Sequence, residues 1–408
     1  MVQPKASSYS VQGARHIKND DFSLVNQEQG IYVICDGISE GGQGHLASQL
    51  VSKKIHEKLI EANAYLKKQG PGLQGSSRLQ VMQESILNAF TYAQECLQNA
   101  GQSDPLYRSA YTTCITLWMD GRFAILAHIG DSRAYLYRAG KVYQITKDHS
   151  ALDELIKGGM APEVAAKNPL ANALIRAFGA GRYSLPDVLK IEFQPNDLLF
   201  LCTDGVYSAL QGASLQQFVH GMVQGTDMKS YIEKCAHASG DDSTMIEIHF
   251  PEGTVEEAPL QASDRIKLIQ QTPLAKYLDY IQQSHVAAIC NIEVFKAGSV
   301  IVQEETEGEC MYIIAKGTLE ILLKGQHIAY MNAGHFMGEV GLIQKHSKRT
   351  ATAIAKEDTV LLSLKGSDLQ EAFKKDLGME RHFYRAMLES VMARMIEQGR
   401  EIAHLKKL

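Results

Sequence analysis

The chain lacks the features that would mark a membrane, secreted or nucleic-acid-binding protein. Within its 408 residues no apolar run approaches the ~18 residues of a membrane helix, and the N-terminus has no apolar signal-peptide core. The seven cysteines stand singly, without a Cys-X-X-Cys pair, and the formal net charge is −5. We therefore expect a cytoplasmic protein with reduced thiols that binds neither membranes nor nucleic acid.

The hydrophobic pattern changes along the chain and divides it into two regions. Up to about Phe250, short β-branched or aromatic runs alternate with segments of 3.6-residue apolar spacing. That spacing predicts helices at 45–66, 78–99 and 153–157. Beyond an acidic stretch with two prolines, a short helix around 274–281 precedes brief strands with glycine-containing turns, which predict a small β-roll or barrel. The predicted boundaries are 1–250 for the first domain, 251–270 for the linker and 271–408 for the second domain.

A long helix is predicted at the end of the chain, from Met379 to about Leu405. Leu388, Met395 and Ile402 repeat every seven residues, a spacing typical of a coiled-coil seam. We expect a homodimer formed through this helix. The alternative is that the apolar stripe packs on its own domain.

Two buried-looking strands in the first domain end in Asp-Gly, at Asp36–Gly37 and Asp204–Gly205. Other acids that stand beside glycine or at strand ends are Asp20, Asp21, Asp131, Asp241 and Asp242. One such Asp is an ordinary turn residue, but the ends of several core strands bring their carboxylates together. Two carboxylates ~4 Å apart repel by ~4 kcal/mol at an effective dielectric of about 20, so a cluster stays ionised only around a cation. Oxygen ligands alone favour Mg²⁺ or Mn²⁺ over zinc.

Seven short blocks follow one another between residues 8 and 250. They are RHIKNDDF, VICDGI with GHLAS, YTTC, HIGDSRAYLYR, ITKDHS with LIRAFG, DLLFLCTDGV and GDDST. Their order and spacing resemble the metal-dependent protein phosphatases of type 2C, a family of serine/threonine phosphatases. The resemblance implies an α+β fold, in which a two-sheet β-sandwich flanked by helices holds metal ions at one end of the sheets.

The same resemblance implies the metal ligands. Asp36 would bridge two ions, and Gly37 would give its carbonyl to one of them. Asp204 and Asp241 would bind the other ion. A third ion would lie between Asp131 and Asp204. The ions would be Mn²⁺ or Mg²⁺, and the reaction would be hydrolysis of a phosphoserine or phosphothreonine in a protein by metal-activated water.

Arg15 would clamp the substrate phosphate, because its guanidinium offers a two-pronged fork that lysine lacks. RHIKNDD aligns with the family's RxxNED in two registers that differ by one residue, so either Asp20 or Asp21 is the metal-shell aspartate, and the family's Glu is missing in both. Ile38 and Ser39–Glu40 also depart from the family's usual residues. Other features have expected places: 151–180 fits the family's mobile flap, and His45 and His149 have structural parts.

The second domain contains a candidate phosphate pocket in FMGEVGLIQKHSKRTATAIA. A helix beginning at Gly338–Glu339 would present free N–H groups to an anion, and Arg349 follows where the chain returns. With TPLAKYL and VFKAGSVIVQEETEGECMYIIAKGTLEI, this stretch resembles the cyclic nucleotide-binding domain of the catabolite activator protein type over 272–390. By that resemblance Gly338, Glu339, Arg349 and Thr350 would hold the ribose and cyclic phosphate of cAMP or cGMP.

The sequence thus favours a phosphatase regulated by cyclic nucleotide. Two other hypotheses remain open. One is a nucleotide-sensing adaptor with a catalytically weak or dead phosphatase fold, because the NDD motif and Ser39–Glu40 are altered. The other is an active phosphatase whose second domain only dimerises.

Overall fold

The chain forms two units, Met1–Val255 and Glu256–Leu408. The computed structural model describes residues 4–38, 43–69, 76–157, 160–171, 173–180, 184–210, 213–250, 262–343 and 347–405. All seven cysteines are free thiols. No helix among the described residues combines the length and apolar character that crossing a membrane would require.

The described part of the first unit holds two five-stranded antiparallel sheets and one short strand pair. Its strands are β1 (Lys5–Val11), β2 (Phe22–Asn26), β3 (Ile31–Cys35), β4 (Gly37–Ile38), β5 (Tyr111–Thr112), β6 (Cys114–Asp120), β7 (Phe123–Ile129), β8 (Arg133–Arg138), β9 (Lys141–Gln144), β10 (Asp187–Glu192), β11 (Leu198–Cys202) and β12 (Ser243–His249). One sheet has the order β1-β12-β11-β8-β9, the other β10-β7-β6-β3-β2, and β4 pairs with β5. Because β12 lies against β2 and β3, the two sheets form the predicted sandwich.

Helices cover the outer faces of this sandwich. They are α1 (Gly44–Gln69), α2 (Ser76–Ser103), α3 (Ala151–Lys157), α4 (Pro162–Ala165), α5 (Asp204–Tyr207), α6 (Ala213–Val223) and α7 (Met228–Ser239), with a 3-10 turn at Pro105–Tyr107. The predicted helices at 45–66, 78–99 and 153–157 correspond to α1, α2 and α3. The sequence reading missed α5, α6 and α7.

Burial on both faces explains why the central strands read as unbroken apolar runs. All five residues of β3 are buried. Ile31, Val33 and Cys35 join the core beneath α1 and α2. Tyr32 and Ile34 alternate with them and point to the opposite face, where they are equally buried. The strand β11 is likewise wholly buried, and its alternate residues pack beneath α6 and α7.

The second unit is a β-roll between helices. Its elements are α8 (Ala262–Gln270), a 3-10 turn (Pro273–Lys276), α9 (Tyr280–Ile289), β13 (Asn291–Phe295), β14 (Val300–Val302), β15 (Cys310–Lys316), β16 (Thr318–Leu323), β17 (Gln326–Asn332), β18 (Phe336–Met337), α10 (Val340–Ile343), β19 (Thr352–Ala355), β20 (Thr359–Lys365), α11 (Gly366–Lys375) and α12 (Leu377–Leu405). Among the described strands, two four-stranded sheets run β13-β20-β15-β18 and β14-β19-β16-β17 without closing into a barrel.

Two details of the second unit differ from the sequence reading. The part of the predicted linker that is described, 262–270, is helix α8, and its Ile269 is buried in the core of this unit. The helix expected around 274–281 is instead a 3-10 turn followed by α9. That helix starts at Tyr280 because Asp279 and Gln282 form a reciprocal capping box.

The long C-terminal helix is present as α12, and only part of its stripe packs on its own unit. Val391 packs against the core of the unit. Leu388 and Met395 are 59% and 66% exposed. The side chain of Ile402 lies outside the described residues.

Candidate active site and nucleotide pocket

The aspartates at the strand ends converge on one cluster. Asp36 follows β3, Asp131 follows β7, Asp204 follows β11, Asp21 precedes β2, and Asp241 precedes β12. Burial raises the pKa of the Asp36 carboxyl well above its usual range, and the charges of the other four carboxylates raise it further. Five acids from separate parts of the chain therefore share one electrostatic site.

Burial and the neighbouring charges also raise the pKa values of Asp204 and Asp21. Burial, then the charges of Asp131 and Asp241, raises the pKa of Asp204 to about 7. Burial also raises the pKa of Asp21 to about 8, although hydrogen bonds from Thr203 and Thr244 oppose this rise. Without a cation the cluster cannot be fully ionised at neutral pH. A set of carboxylate and carbonyl oxygens fits hard divalent cations such as Mg²⁺ and Mn²⁺.

Asp20 and Asp21 have different environments. The Asp20 carboxylate accepts a hydrogen bond from the His45 N–H at the start of α1, at 2.9 Å, so it caps that helix. The Asp21 carboxylate accepts one from the Thr203 hydroxyl at 2.9 Å and lies beside Asp36. The geometry therefore places Asp21, and not Asp20, beside Asp36, and which of the two is the metal-shell aspartate stays a prediction that favours Asp21.

Close backbone packing explains the glycine after each aspartate. A Cβ on Gly37 would overlap the backbone of Gly44, and a Cβ on Gly205 would overlap the carbonyl oxygen of Asp242. At both positions only glycine lets another segment approach the aspartate that precedes it. The Asp-Gly pairs thus reflect segments packed around the site rather than simple turns.

The backbone of Asp36 is held by the YTTC block. The Thr113 N–H and the Thr112 hydroxyl donate to the Asp36 carbonyl at 2.9 and 2.7 Å. The Asp36 N–H donates to the Thr113 hydroxyl oxygen at 3.2 Å, and Thr113 also contacts the Ser132 hydroxyl at 2.8 Å. Ser132 follows Asp131, so two carboxylates of the cluster are joined through this threonine.

Arg15 lies at the edge of the site. Its N–H donates to the Gly240 carbonyl at 3.0 Å, one residue before Asp241. The side chain is exposed and its guanidinium lies next to Gly240. This placement leaves the guanidinium accessible to a ligand at the carboxylate cluster.

A second buried acid, Asp242, ties the N-terminal segment to the site. Its carboxylate accepts hydrogen bonds from the N–H groups of Gly13 and Asp20, at 2.8 and 2.7 Å, and contacts His16 Nδ1 at 2.7 Å. Burial lowers the pKa of His16, but the pairing with Asp242 outweighs it and raises the pKa overall. No role was predicted for Asp242, although its place beside Asp241 was the available signal.

Three residues near Asp131 also escaped the sequence reading. The Arg133 guanidinium donates to both oxygens of Asp148, with Nη2 at 2.7 Å from Oδ2, and it stacks 3.7 Å from the Tyr207 ring centre. The Tyr207 hydroxyl donates to Asp131 at 3.2 Å. In the sequence, the signal was the presence of one opposite charge in each block, Arg133 in GDSR and Asp148 in KDHS.

The remaining expectations for the first domain have these outcomes. His45 lies at the start of α1 beside Asp20, and the Nδ1 atom of His149 accepts the Gly130 N–H at 3.1 Å, so both have structural contacts. Ile38 is half-buried at the end of β4, and Ser39–Glu40 lie outside the described residues. The described part of the flap lines an open cavity of about 550 Å³, whose lining includes Leu155, Met160, Leu170 and Ile175.

The four expected nucleotide residues line one cavity of the second unit, of about 380 Å³. They are Gly338, Glu339, Arg349 and Thr350. The Arg349 guanidinium passes between Gly308 and Gly338, and its Nη2 donates to the Cys310 carbonyl at 2.8 Å. In the part of the chain that the structure describes, no carboxylate pairs with Arg349. The short helix expected to begin at Gly338–Glu339 begins instead at Val340, as α10, and spans four residues.

The C-terminal helix contributes to this cavity, which the sequence did not predict. Val391 and Met395 of α12 line it. Arg394 Nη2 contacts Glu339 at 2.7 Å, and its Nη1 donates to the Phe336 carbonyl at 3.1 Å. Glu339 is therefore held by a residue of α12, far away in the sequence.

Comparison with known proteins matches both domains. The family model for protein phosphatase 2C matches residues 12–244, and that for the cyclic nucleotide-binding domain matches 292–376. The chain is 25% identical over 245 residues to the serine/threonine phosphatase stp of Listeria innocua, covering 57% of this chain and 89% of that one. It is 26% identical over 241 residues to the phosphatase PstP of Mycobacterium tuberculosis, covering 57% and 44%.

Solved structures show the same fold for the first domain. The phosphatase Stp1 of Staphylococcus aureus matches with a TM-score of 0.51 at 23% identity, covering 62% of this chain and 96% of that one. The phosphatase of S. agalactiae matches with a TM-score of 0.51 at 24% identity, covering 61% and 100%. The chain belongs to the protein phosphatase 2C family of serine/threonine phosphatases, and it carries a cyclic nucleotide-binding domain after the phosphatase domain.

Proposed function

We propose that the first domain, about residues 1–250, hydrolyses phosphoserine and phosphothreonine in proteins with two or three Mn²⁺ or Mg²⁺ ions held by the carboxylate cluster. The convergence of five aspartates carries this proposal. Asp36 would be a ligand of two ions. Asp204 and Asp241 would hold one of them, with Asp21 beside them, and Gly37 would offer its carbonyl to the other. Asp131 and Asp204 would hold the third ion.

The chain's own residues set the conditions for the reaction. When bound, the ions supply Lewis acidity that lowers the pKa of water and stabilises charge on the phosphoryl oxygens. Arg15 binds and orients the substrate phosphate from the edge of the cluster. Asp242 and Thr113 keep the segments that carry Arg15 and Asp36 in place.

We propose that the cavity of the second unit, in the domain from about residue 271 to 408, binds cAMP or cGMP. Arg349 has no carboxylate partner among the described residues, so its guanidinium can pair with the cyclic phosphate. Glu339 accepts a hydrogen bond from the ribose hydroxyl, while Arg394 holds its other side. Gly338 lets the backbone approach the phosphate, and Thr350 lies in the same lining.

We further propose that the nucleotide regulates phosphatase activity. The presence of both sites on one chain supports this idea, and the contact of Arg394 with Glu339 gives the nucleotide a link to α12. A full switch between 1:99 and 99:1 populations requires about 10⁴-fold different affinity for the two conformations, or about 5.5 kcal/mol.

The exposed apolar side of α12 supports a homodimer. Leu388, Met392 and Ile396 are each more than half exposed and recur at helical spacing. A second copy of the same helix offers the matching stripe. The protein is proposed to work in the cytoplasm, in keeping with its free thiols.

One experiment separates the hypotheses. The rate on a phosphothreonine peptide is measured with Mn²⁺, with and without cAMP or cGMP, for the wild type, Asp204→Asn and Arg349→Ala. We expect metal-dependent turnover that Asp204→Asn abolishes, and a nucleotide response that Arg349→Ala abolishes while its basal rate is unchanged. Turnover without Mn²⁺, or equal turnover in Asp204→Asn, contradicts the catalytic proposal. If no turnover is seen at all, the adaptor hypothesis is favoured. If turnover is the same with and without either nucleotide, the hypothesis of a second domain that only dimerises is favoured.

A further inference from the structure

His149 and Gly130 make two hydrogen bonds to each other. The His149 N–H donates to the Gly130 carbonyl at 3.0 Å. The Gly130 N–H donates to Nδ1 of the His149 ring at 3.1 Å. Gly130 directly precedes Asp131 of the carboxylate cluster. The imidazole and its own backbone thus clamp the loop that carries a proposed metal ligand.

These contacts determine which nitrogen of the His149 ring carries the proton. Burial lowers the pKa of His149, so the ring is neutral at pH 7. Because Nδ1 accepts the Gly130 N–H, the single proton resides on Nε2. Nε2 lies 3.4 Å from Asp187, a long contact that orients the ring by charge–dipole attraction. Arg176 Nη1 holds the other Asp187 oxygen at 2.8 Å, and Arg176 belongs to the flap.

A metal ion is a competing occupant of this cluster. One ligand atom from each of His128, His149 and Asp187 lies within 4.8 Å of the others, as metal ligands would. A metal at His149 Nε2 would need the lone pair where the proton sits, and would shift that proton to Nδ1 against the Gly130 N–H. His128 stacks on His149 with ring centres 4.6 Å apart, and burial lowers its pKa to about 3. The observed hydrogen bonds therefore favour a neutral, oriented imidazole over a metal ligand.

The position of Gly130 matters for two carboxylates. Its φ of +104° is a conformation that residues with a Cβ rarely adopt, and a Cβ there would overlap the Thr113 side chain. Thr113 in turn accepts the Asp36 N–H and contacts Ser132. A displaced Gly130 would move Asp131 directly and Asp36 through Thr113.

We propose that His149 is a positioning residue that holds Asp131 in the geometry for binding a divalent cation, with Asp187 and Arg176 orienting its ring from the flap. This inference rests on the proposed metal-dependent function. Residues that orient metal ligands typically contribute 10- to 100-fold to metal affinity.

Three substitutions at His149 test the proposal, because they separate the two ring nitrogens. The side-chain oxygen of asparagine can take the place of Nδ1, whereas glutamine places its amide near Nε2, and phenylalanine has neither. Mn²⁺ binding is measured by titration calorimetry on the full chain, with Asp131→Asn marking the binding phase that depends on Asp131. We expect His149→Asn to bind within about threefold of wild type in that phase, and His149→Gln and His149→Phe to bind at least about tenfold more weakly.

His128→Phe is the matched control, because it removes an equally buried imidazole that, among the described residues, makes no hydrogen bond to Gly130. Its Mn²⁺ affinity should equal that of the wild type even if its stability falls. Three results would overturn the proposal. They are wild-type Mn²⁺ affinity in all three His149 variants, the same loss of affinity in His149→Asn as in His149→Gln, and a loss in His128→Phe as large as that in His149→Phe. If Asp131→Asn binds like wild type while His149→Phe does not, the proposal also fails. A wild type that binds no Mn²⁺ overturns the proposed function together with this inference.

Discussion

Removing one charge from the carboxylate cluster should stabilise the metal-free phosphatase domain, although it abolishes activity. Asp204→Asn keeps the shape of the side chain, buries no charge and relieves repulsion with Asp131 and Asp241. Burial, then the charges of these two carboxylates, raises the pKa of Asp204 from 3.8 to about 7. Those three or so pKa units correspond to ~4 kcal/mol. Because the site relaxes and admits water, we expect the substitution to add about 2–4 kcal/mol to the free energy of unfolding at pH 8.

The gain should depend on pH in a defined direction. The pKa of Asp204 is higher in the folded than in the unfolded state, so the stability tied to its proton is complete below pH 3.8 and is lost as the pH rises through about 7. Asparagine carries no such proton. The advantage of Asp204→Asn should therefore be larger at pH 8 than at pH 5, by about 2 kcal/mol.

Mn²⁺ should reverse the order of stability of the wild type and Asp204→Asn. A ligand at 100 times its dissociation constant stabilises the folded state by about 2.7 kcal/mol per site. The wild type gains this stabilisation at each site, and Asp204→Asn loses it where Asp204 is a ligand. In excess Mn²⁺ the wild type should then be the more stable protein.

The assay uses the single tryptophan, Trp118, which is buried in β6 of the phosphatase domain and reports the unfolding of that domain. Urea unfolding is followed by its fluorescence in EDTA at pH 5 and pH 8, and again with Mn²⁺. As a control, Asp197→Asn breaks the buried ion pair with Arg138 and should destabilise by about 3 kcal/mol or more in every buffer. The reasoning is refuted if Asp204→Asn destabilises the EDTA-treated protein at pH 8, or if its effect is the same at both pH values.

Three further predictions address the other parts of the molecule. Arg349→Ala should weaken cAMP or cGMP binding about 10- to 100-fold by calorimetry, since charged hydrogen bonds contribute about 1.5–3 kcal/mol, with Arg349→Lys intermediate. Gly205→Ala should destabilise the phosphatase domain by about 1–3 kcal/mol in the same urea assay, because its Cβ meets backbone; Gly101→Ala, which meets only ordinary contacts, is the control. The double change Leu388→Glu and Met392→Glu should convert a dimer to a monomer in light scattering, and an unchanged mass would exclude the α12 seam.

Local periodicity was sufficient for the larger elements. The apolar spacing within 45–66 and 78–99 is a local property of the sequence and can be recognised without knowing what the helix packs against. The structure has helices at Gly44–Gln69 and Ser76–Ser103. The wholly buried strands β3 and β11 were also readable, because burial on both faces demands an unbroken apolar run. The helix α5, with four residues, is too short to show a period, but α6 and α7, with 11 and 12 residues, were also not predicted, so periodicity did not reveal every helix of the first domain.

The sequence by itself also determined which residue types meet in the carboxylate cluster, since Asp36, Asp204 and Asp241 each follow or precede a buried strand. Only the tertiary structure shows that Asp21, and not Asp20, lies beside Asp36. Neighbouring side chains on an extended segment point to opposite sides. Asp20 therefore turns to the start of α1, and Asp21 turns to the cluster. Likewise, the sequence shows that α12 carries an apolar stripe, but it does not show that Arg394 of this helix contacts Glu339. These two residues are 55 positions apart, and only the path of the folded chain brings them together.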